Sequence, residues 1–240
     1  MKIALIGYGK MGKAIEEIAI QAGHIITEKF DLDGFESSDI ANADVAIEFT
    51  RAEAVKNNII KCFDANVPVI VGTTGWYEHF DEICKIATKQ NKTLFYSTNY
   101  SLGVNIFFEM NKFLAKMMNE NNLYEPTITE SHHIHKLDSP SGTAITLAEG
   151  IISNFNRKKQ WVNTINSNIK STNEFDLNIH SIREDEVPGT HTVIYKSKID
   201  NIIITHQAHN RLGFATGAVK AAEWVKDKKG VFTMKDMLSF

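Results

Sequence analysis

A glycine-rich turn near the start of the chain is the feature that most constrains its fold. The pattern G-x-G-x-x-G fits residues 7–12, which follow the apolar segment Lys2–Gly7 and precede helically spaced apolar residues in Lys13–Ala22. The first glycine allows the tight turn, the second lets a pyrophosphate approach the backbone, and the third lets helix and strand pack closely. The helix start offers free N–H groups to phosphates. The pattern predicts dinucleotide contacts at Gly7, Tyr8, Gly9, Lys10, Met11 and Gly12.

An acidic residue after the second predicted strand, His24–Phe30, supports a dinucleotide over a glycine turn that binds nothing. Asp31 lies close to the expected distance of about 20 residues, where a carboxylate can accept bonds from both ribose hydroxyls. Glu28 and Asp33 are competing candidates, but Glu28 lies within the strand and Asp33 beyond it.

The residue after Asp31 bears on which cofactor is bound. Leu32 stands where an arginine would bind the 2′-phosphate of NADP(H), so the sequence favours NADH over NADPH. Lys10 or Lys29 could still bind that phosphate, and NADPH therefore stays open.

Strands and helices continue to alternate after this first unit. The apolar patterns predict strands at Asp44–Phe49, Val67–Gly72 and Thr93–Ser97, with helices at Ala52–Ala65 and Trp76–Gln90 between them. Such alternation is typical of βαβ units, so we predict an α/β fold with an N-terminal Rossmann-type, doubly wound parallel sheet. Ligands of such sheets bind at the carboxyl ends of the strands. Further cofactor contacts are therefore expected at Gly72, Thr73, Thr74, Ser97, Thr98, Asn99 and Tyr100.

The pattern changes after about Ser101. A long helix, Val104–Met118, is followed by a strand at Thr127–Ser131 and a helix at Ala144–Phe155. Three β-rich runs between Phe175 and Ala208 then follow one another without helices, which predicts an antiparallel or mixed sheet in a second, α+β domain.

The chain then returns to a helix at Phe214–Val225. We predict a dinucleotide-binding domain from residues 1–101 and 212–240, and a substrate-binding and oligomerisation domain from 102–211. The polar segment Arg157–Thr172 is expected to be a mobile surface excursion.

The run from Glu130 to Ala144 carries the chemistry of the second domain. Three histidines and Lys136 fall within five positions, just before a proline-led helix start at Pro140. A helix N-terminus with small hydroxyl residues suits a carboxylate or phosphate, histidine supplies a proton donor near neutral pH, and lysine supplies positive charge. The residues at that helix start are Ser141, Gly142 and Thr143.

Clustered histidines can also bind a metal ion or belong to a solvated loop. A metal site is disfavoured, because His132 and His133 would point to opposite faces of an extended chain and no cysteine or second pair completes a ligand set. A solvated loop before an ordinary capped helix remains open on these residues alone.

The same run resembles the dihydrodipicolinate reductase family, through E-x-H-x-x-x-K-x-D-x-P-S-G-T-A at residues 130–144. The resemblance covers essentially the whole chain and departs at Thr127, where the family usually has Glu, and at Glu184, where it often has Gly. Its other matching runs lie at Gly72–Gly75, Asn99–Val104, His180–Arg183, Gly189–Val193, His206–Arg211 and Phe214–Trp224.

The resemblance implies NAD(P)H-dependent reduction of a cyclic dicarboxylate, 4-hydroxy-tetrahydrodipicolinate, in lysine and diaminopimelate biosynthesis. It implies His132 as general acid, Lys136 as its neighbour in proton donation or charge stabilisation, and substrate-carboxylate contacts at His133, Gly142 and Thr143. It also implies a homotetramer formed through the second domain's sheet. Another two-domain amino-acid dehydrogenase and a non-catalytic NAD-binding protein are the alternatives.

Composition excludes several classes of partner. The 240 residues carry 26 Lys and Arg against 29 Asp and Glu, a net charge of −3, so nothing draws the chain to nucleic acid or anionic lipid. No apolar stretch approaches the roughly 18 residues that span a bilayer. Cys62 and Cys84 lie in predicted helices, which favours buried free thiols, and a cytoplasmic protein is expected.

Overall fold

The computed structural model describes residues 1–31, 34–165, 171, 173–210 and 212–240, and the chain divides into two units. Unit 1 consists of Met1–Leu102 and Leu212–Phe240, and unit 2 of Gly103–Arg211. The second unit is therefore inserted into the first, and the chain passes between them twice.

The described residues of unit 1 form six strands and five α-helices. The strands are β1 (Lys2–Ile6), β2 (Ile25–Phe30), β3 (Val45–Glu48), β4 (Val69–Val71), β5 (Thr93–Tyr96) and β11 (Gly230–Phe232). The helices are α1 (Lys10–Gln21), α2 (Ala52–Asp64), α3 (Phe80–Lys89), α6 (Leu212–Trp224) and α7 (Met234–Leu238).

The strands of unit 1 form one sheet in the order β11-β5-β4-β3-β1-β2, and every neighbouring pair is parallel. Alternate residues of β1 enter separate apolar cores: Ile3 and Leu5 pack with α1 and α6, whereas Ala4 and Ile6 pack with α2 and α3. Helices therefore cover both faces, as side-chain alternation along a strand requires. The predicted doubly wound parallel sheet is confirmed.

In the described part of unit 2 there are five strands and two α-helices. The helices are α4 (Leu102–Asn119), whose first residue lies in unit 1, and α5 (Gly142–Ile152). The strands are β6 (Glu125–His132), β7 (Gln160–Ile165), β8 (Asp176–Arg183), β9 (Thr190–Lys196) and β10 (Asn201–Gln207).

The second sheet has the order β10-β9-β6-β8-β7. Its β10–β9 and β9–β6 pairs are antiparallel, and its β6–β8 and β8–β7 pairs are parallel. One face packs on α4 and α5 through a core that includes Phe107, Leu147 and Ile179. The predicted mixed sheet in an α+β unit is confirmed.

The prediction for the polar segment Arg157–Thr172 is wrong in its first half. Residues 160–165 form β7, which pairs with β8 as the edge strand of the sheet. Lys158 is buried, and its ammonium group donates a hydrogen bond to the carbonyl oxygen of Glu174 at 2.8 Å. An edge strand is held by backbone pairing and has half-buried side chains, so it can form without a regular alternation of apolar and polar residues. This segment lacks such alternation, which is why the sequence pattern missed the strand. Residues 166–170 and Thr172 lie outside the described residues.

One further expectation needs correction in unit 1. The segment Trp76–Gln90 is not one helix: Trp76 is buried in the core with its indole N–H on the carbonyl oxygen of Thr73 at 3.0 Å, and α3 begins only at Phe80. The charged C-terminal tail forms β11 and α7. The three residues of β11 pair with β5 and extend the sheet by one strand.

The cysteines behave largely as the sequence predicts. Both are free; Cys62 is buried, with its thiol pKa raised by burial, and Cys84 is half-buried. Among the described residues, no helix combines the length and apolar character needed to cross a bilayer.

Candidate active site

The glycine turn of unit 1 has the geometry that a dinucleotide requires. Gly7 has φ of +95°, and a Cβ there would lie 2.0 Å from the carbonyl oxygen of Phe49. A Cβ on Gly12 would lie 2.3 Å from the carbonyl oxygen of Gly7, whereas one on Gly9 would meet nothing within 4 Å. The first and third glycines are therefore demanded by packing, and the open space lies at the second, where a phosphate would approach.

A cleft of about 240 Å³ opens beside this turn. Gly7 and Gly9 line it together with Asp31, which directly follows β2. No side chain caps α1 at Gly9, so its first N–H groups are available to an anion. These residues fit a nucleotide with the Asp31 carboxylate toward the ribose. Leu32 and Asp33 lie outside the described residues.

The residues that line this cleft beyond the predicted contacts include three from the region of α2. Arg51, Ala54 and Asn58 line the same cleft from the start and first turns of α2. Arg51 follows β3 in the sequence, which puts it at the carboxyl edge of the sheet. Because ligands bind at that edge, its position could have identified Arg51 as a candidate cofactor contact.

The alternative phosphate ligand Lys29 is already paired. Its ammonium group lies 2.7 Å from the Glu16 carboxylate, which also accepts a bond from the Tyr8 hydroxyl. Lys29 lies over the Tyr8 ring at 4.9 Å. Lys10 is exposed, and Met11 packs against the core of unit 1.

The loop after β4 is held by side chains of the neighbouring strand. A Cβ on Gly72 would collide with the Phe49 ring at 2.1 Å, and the Thr73 hydroxyl accepts the N–H of Thr50 at 2.7 Å. The Thr50 hydroxyl in turn bonds to the buried carboxylate of Glu48, whose pKa is raised by burial. Thr74 is exposed at the tip of this loop.

The loop after β5 is stabilised by its own polar groups. The Ser97 hydroxyl donates to the carbonyl oxygen of Asn99 at 2.7 Å, and the Asn99 side chain accepts the N–H of Ser101 at 2.9 Å. Thr98 is exposed. The Tyr100 ring is buried, and its hydroxyl donates a hydrogen bond to the carbonyl oxygen of Val71 at 2.8 Å. Only the backbone of Tyr100 is therefore available to contact a cofactor.

In unit 2, His132 ends β6 and is 8% exposed. Its Nδ1 is hydrogen-bonded to the carboxylate of Glu130, two residues earlier on the same face of the strand. The other carboxylate oxygen of Glu130 accepts a bond from the Arg183 guanidinium at 2.9 Å, because β6 and β8 pair His132 with Arg183. Arg183 also donates to the carbonyl oxygen of Asp138 at 2.8 Å.

The charge of Glu130 is fixed by these donors. Burial alone would raise its pKa, but bonds from His132, Ser181 and Arg183 outweigh burial and lower the pKa of Glu130 to about 2. A buried carboxylate on Nδ1 holds a proton there and leaves Nε2 as the reactive nitrogen of His132. Gly189 keeps that nitrogen accessible, since a Cβ at this position would lie 3.0 Å from Nε2.

A second histidine lies beside the first. The rings of His132 and His191 are 5.0 Å apart and nearly perpendicular, and the Nε2 of His191 lies 2.9 Å from the Ser141 hydroxyl oxygen. Ser141, one of the hydroxyl residues that the sequence places at this helix start, is the N-cap of α5 and is 2% exposed. Gly142 is exposed and Thr143 half-buried at the same helix start.

The loop between β6 and α5 carries the remaining predicted residues. Lys136 donates to both carboxylate oxygens of Asp138 at 2.8 Å, and this pair lowers the pKa of Asp138 although partial burial opposes the shift. The backbone N–H of His133 donates to the carbonyl oxygen of Val187 at 2.9 Å. Lys136 is half-buried, whereas His135 is exposed.

Glu130, His132 and His191 offer ligand atoms within 4.8 Å of one another. The carboxylate of Glu130 already bonds to His132 and Arg183, and His191 already bonds to Ser141. A cation at these three groups would have to displace those hydrogen bonds and sit beside a guanidinium, so the donor set favours proton chemistry over metal binding.

Comparison with known proteins identifies the family. A sequence model described as "Dihydrodipicolinate reductase, C-terminus" matches residues 103–238, and its N-terminal counterpart matches residues 1–100. The chain is 48% identical to a 4-hydroxy-tetrahydrodipicolinate reductase from Christiangramia forsetii, covering 100% of this chain and 98% of that protein. The chain belongs to the dihydrodipicolinate reductase family. A family relative from Archaeoglobus fulgidus, named 4-hydroxy-tetrahydrodipicolinate reductase, is 35% identical over 99% of this chain and 100% of its own length.

Solved structures agree on the fold. The dipicolinate-bound dihydrodipicolinate reductase from Paenisporosarcina sp. TG-14 superposes with a TM-score of 0.77 at 21% identity, covering 97% of each chain. An aspartate semialdehyde dehydrogenase from Vibrio cholerae superposes less closely, with a TM-score of 0.53 at 13% identity over 95% of this chain and 99% of that chain. Within the dihydrodipicolinate reductase family, the fold is thus retained at low identity.

Proposed function

We propose that this chain reduces 4-hydroxy-tetrahydrodipicolinate to tetrahydrodipicolinate with NADH or NADPH, in lysine and diaminopimelate biosynthesis. The observation that carries the proposal is the buried Glu130–His132 pair in unit 2, a proton donor held beside the start of α5. The reaction consumes the substrate, one reduced cofactor and one proton, and yields the product, the oxidised cofactor and water.

His132 is the proposed general acid. The nicotinamide, when bound, supplies the hydride, which builds negative charge on the conjugated system of the substrate. The Nε2–H of His132 then delivers a proton to the adjacent carbon, and the Glu130 carboxylate stabilises the imidazolium through Nδ1 before that transfer. Lys136 is the proposed cationic neighbour.

The two substrate carboxylates explain the other polar groups of the site. The first N–H groups of α5, at Gly142 and Thr143, have no partner within the helix and suit one carboxylate. His133 and Lys136 are the proposed partners for negative charge on the rest of the ring. Charge-assisted bonds of this kind contribute on the order of 1.5–3 kcal/mol each.

A steady-state assay tests the proposal directly. The chain is mixed with enzymatically generated 4-hydroxy-tetrahydrodipicolinate, and oxidation of NADH and of NADPH is followed by absorbance. Turnover is expected with at least one cofactor. Cofactor binding in calorimetry without turnover would favour a non-catalytic NAD-binding protein, and turnover only with an amino acid would favour a dehydrogenase of that class.

We further propose a preference for NADH, which depends on Asp31. Its carboxylate lines the cleft where the adenosine ribose is expected, and it would repel a 2′-phosphate. Replacing Asp31 with Ala is expected to raise the Kd of NADH about tenfold, the loss of one charged hydrogen bond. The Kd of NADPH is expected to change less, because repulsion is relieved as well. Fluorescence titration of the apo protein measures both.

Arg51 supplies the matched variant in the same cleft. Its positive charge favours a 2′-phosphate, so Arg51→Met is expected to weaken NADPH more than NADH. If both substitutions weaken the two cofactors equally, neither residue discriminates at the ribose, and the preference must be set elsewhere.

We also propose a cytoplasmic homotetramer that associates through the sheet of unit 2. The free thiols of Cys62 and Cys84 are consistent with a reducing compartment. The edge strand β10 exposes Ile202 and Ile203, which a neighbouring subunit would cover. Light scattering coupled to gel filtration should give four times the mass of the chain, and a monomer would contradict this assembly.

A further inference from the structure

The start of α5 is tied to the second histidine of the site. Ser141 caps the helix by accepting the N–H of Ala144 on its hydroxyl oxygen at 3.2 Å, and the same oxygen lies 2.9 Å from the Nε2 of His191. Both side chains are buried, at 2% and 5% exposure. His191 reaches this position because β6 and β9 pair it with Glu130.

The direction of the Ser141–His191 bond follows from the donors available. A buried hydroxyl that donates to nothing costs about 1–3 kcal/mol. Within the described part of the chain, the Nε2 of His191 is the one acceptor that the Ser141 hydroxyl reaches. Ser141 therefore donates to Nε2, and His191 carries its proton on Nδ1.

The surroundings of His191 keep it neutral. Burial and the nearby His132 lower the pKa of His191 to about 3, and Glu130 only partly opposes them. The other charged groups that act on His191 are His206 and Lys136, which lower its pKa further. A neutral imidazole is able to accept a hydrogen bond from the Ser141 hydroxyl.

We infer that His191 is a positioning residue for the substrate carboxylate, acting through Ser141. This inference rests on the proposed function and deepens it. By accepting the hydrogen bond from the hydroxyl, His191 orients an oxygen lone pair of Ser141 toward the N–H of Ala144. The N–H groups of Gly142 and Thr143 then stay aimed at the bound carboxylate, and Ser141 itself does not contact the substrate.

Substitution of His191 tests the role through binding of dipicolinate, a planar dicarboxylate. His191→Phe removes the acceptor and is expected to raise the Kd of dipicolinate about tenfold, with kcat changed less than about threefold. His191→Gln places an amide oxygen near the position of Nε2 and should restore the Kd to within about threefold of wild type. The Kd of NADH should not change in either variant.

Ser141→Ala completes a double-mutant cycle. If His191 acts through Ser141, the double variant should bind dipicolinate no more weakly than either single variant. Thr233→Val is the matched control, because Thr233 caps α7 in unit 1. That variant should lower the Tm as a lost cap does, without changing the Kd of dipicolinate.

The tautomer of His191 provides a readout that needs no activity. Long-range ¹H–¹⁵N spectra should show a neutral ring protonated at Nδ1 in wild type, and a different tautomer balance in Ser141→Ala. A ring protonated at Nε2, or additive effects of the two single substitutions, would overturn the inference. Absence of turnover and of dipicolinate binding in wild type would instead refute the proposed function, while the spectra would still report on the Ser141–His191 bond.

Discussion

Replacing His132 with glutamine is expected to lower kcat by roughly 10²–10⁴-fold, the contribution that a positioned general acid makes. Glutamine keeps much of the size of the ring and can bond to Glu130, but it cannot donate a proton to carbon. The Kd of NADH should stay at its wild-type value, since the proposed phosphate and ribose contacts are made by the glycine turn and Asp31 rather than by His132. Single-turnover kinetics with pre-bound cofactor measure the chemical step separately from binding.

The pH dependence of the same variant adds a second check. A general acid gives the wild-type profile a limb that falls with rising pH, and the His132→Gln variant should lose that limb. A variant with an unchanged rate, or one that keeps the limb, would mean that another group donates the proton.

Replacing Glu130 with glutamine is expected to lower the free energy of unfolding by about 3–5 kcal/mol, the cost of removing one member of a buried ion pair. Glu130 is fully buried and the Arg183 side chain is 9% exposed, so the substitution removes a buried counter-charge from the guanidinium. It also removes the anion on Nδ1 of His132, and kcat should fall with it. Urea denaturation gives the first quantity, and steady-state assays give the second.

The acid side of the stability profile tests the same carboxylate. The pKa of Glu130 is lowered to about 2 in the folded chain. At pH values above the ordinary pKa of a glutamate in the unfolded chain, the ionised carboxylate therefore stabilises the fold. That contribution is lost as pH falls from about 5 to about 2, so wild type should lose stability in this window more steeply than Glu130→Gln.

Glu149 offers a matched control, since it is an exposed glutamate on α5. Glu149→Gln should change the free energy of unfolding by less than about 0.5 kcal/mol and leave the acid slope as in wild type. Equal effects of the two substitutions would show that the buried ion pair contributes nothing particular to stability.

Local patterns in the sequence predict most of unit 1 and fail at one edge of each sheet. The β1–turn–α1 unit is predictable because apolar spacing and glycine sterics act within 20 residues. Strands β7 and β11 are not, because each forms by adding to the edge of an existing sheet: β7 lacks a regular alternation of apolar and polar residues, and β11 has three residues. Their stability comes from long-range pairing that a local window does not contain.

Some residues of the candidate site could likewise be predicted from the sequence, and others could not. Residues of the contiguous run 130–144 could be chosen from the sequence, because histidine, lysine and a capped helix start stand together there. The partners Arg183 and His191 could not be assigned roles, since only strand register brings them to His132 and Glu130. Glu130 itself lies in the run, but its burial, which makes it an ion-pair partner rather than a solvated charge, is a tertiary property.

The insertion of one unit into the other has a consequence for synthesis on the ribosome. Helix α6 supplies Ala218, Val219 and Ala222 to the apolar core beneath β1 and β3, yet it is encoded after the whole of unit 2. Because only α1 covers that face before α6 is made, residues 1–102 emerge with one side of their sheet partly uncovered, and residues 212–240 complete it. Arrested chains that stop short of α6 should be protease-sensitive in their N-terminal region, even though the intervening unit is already complete.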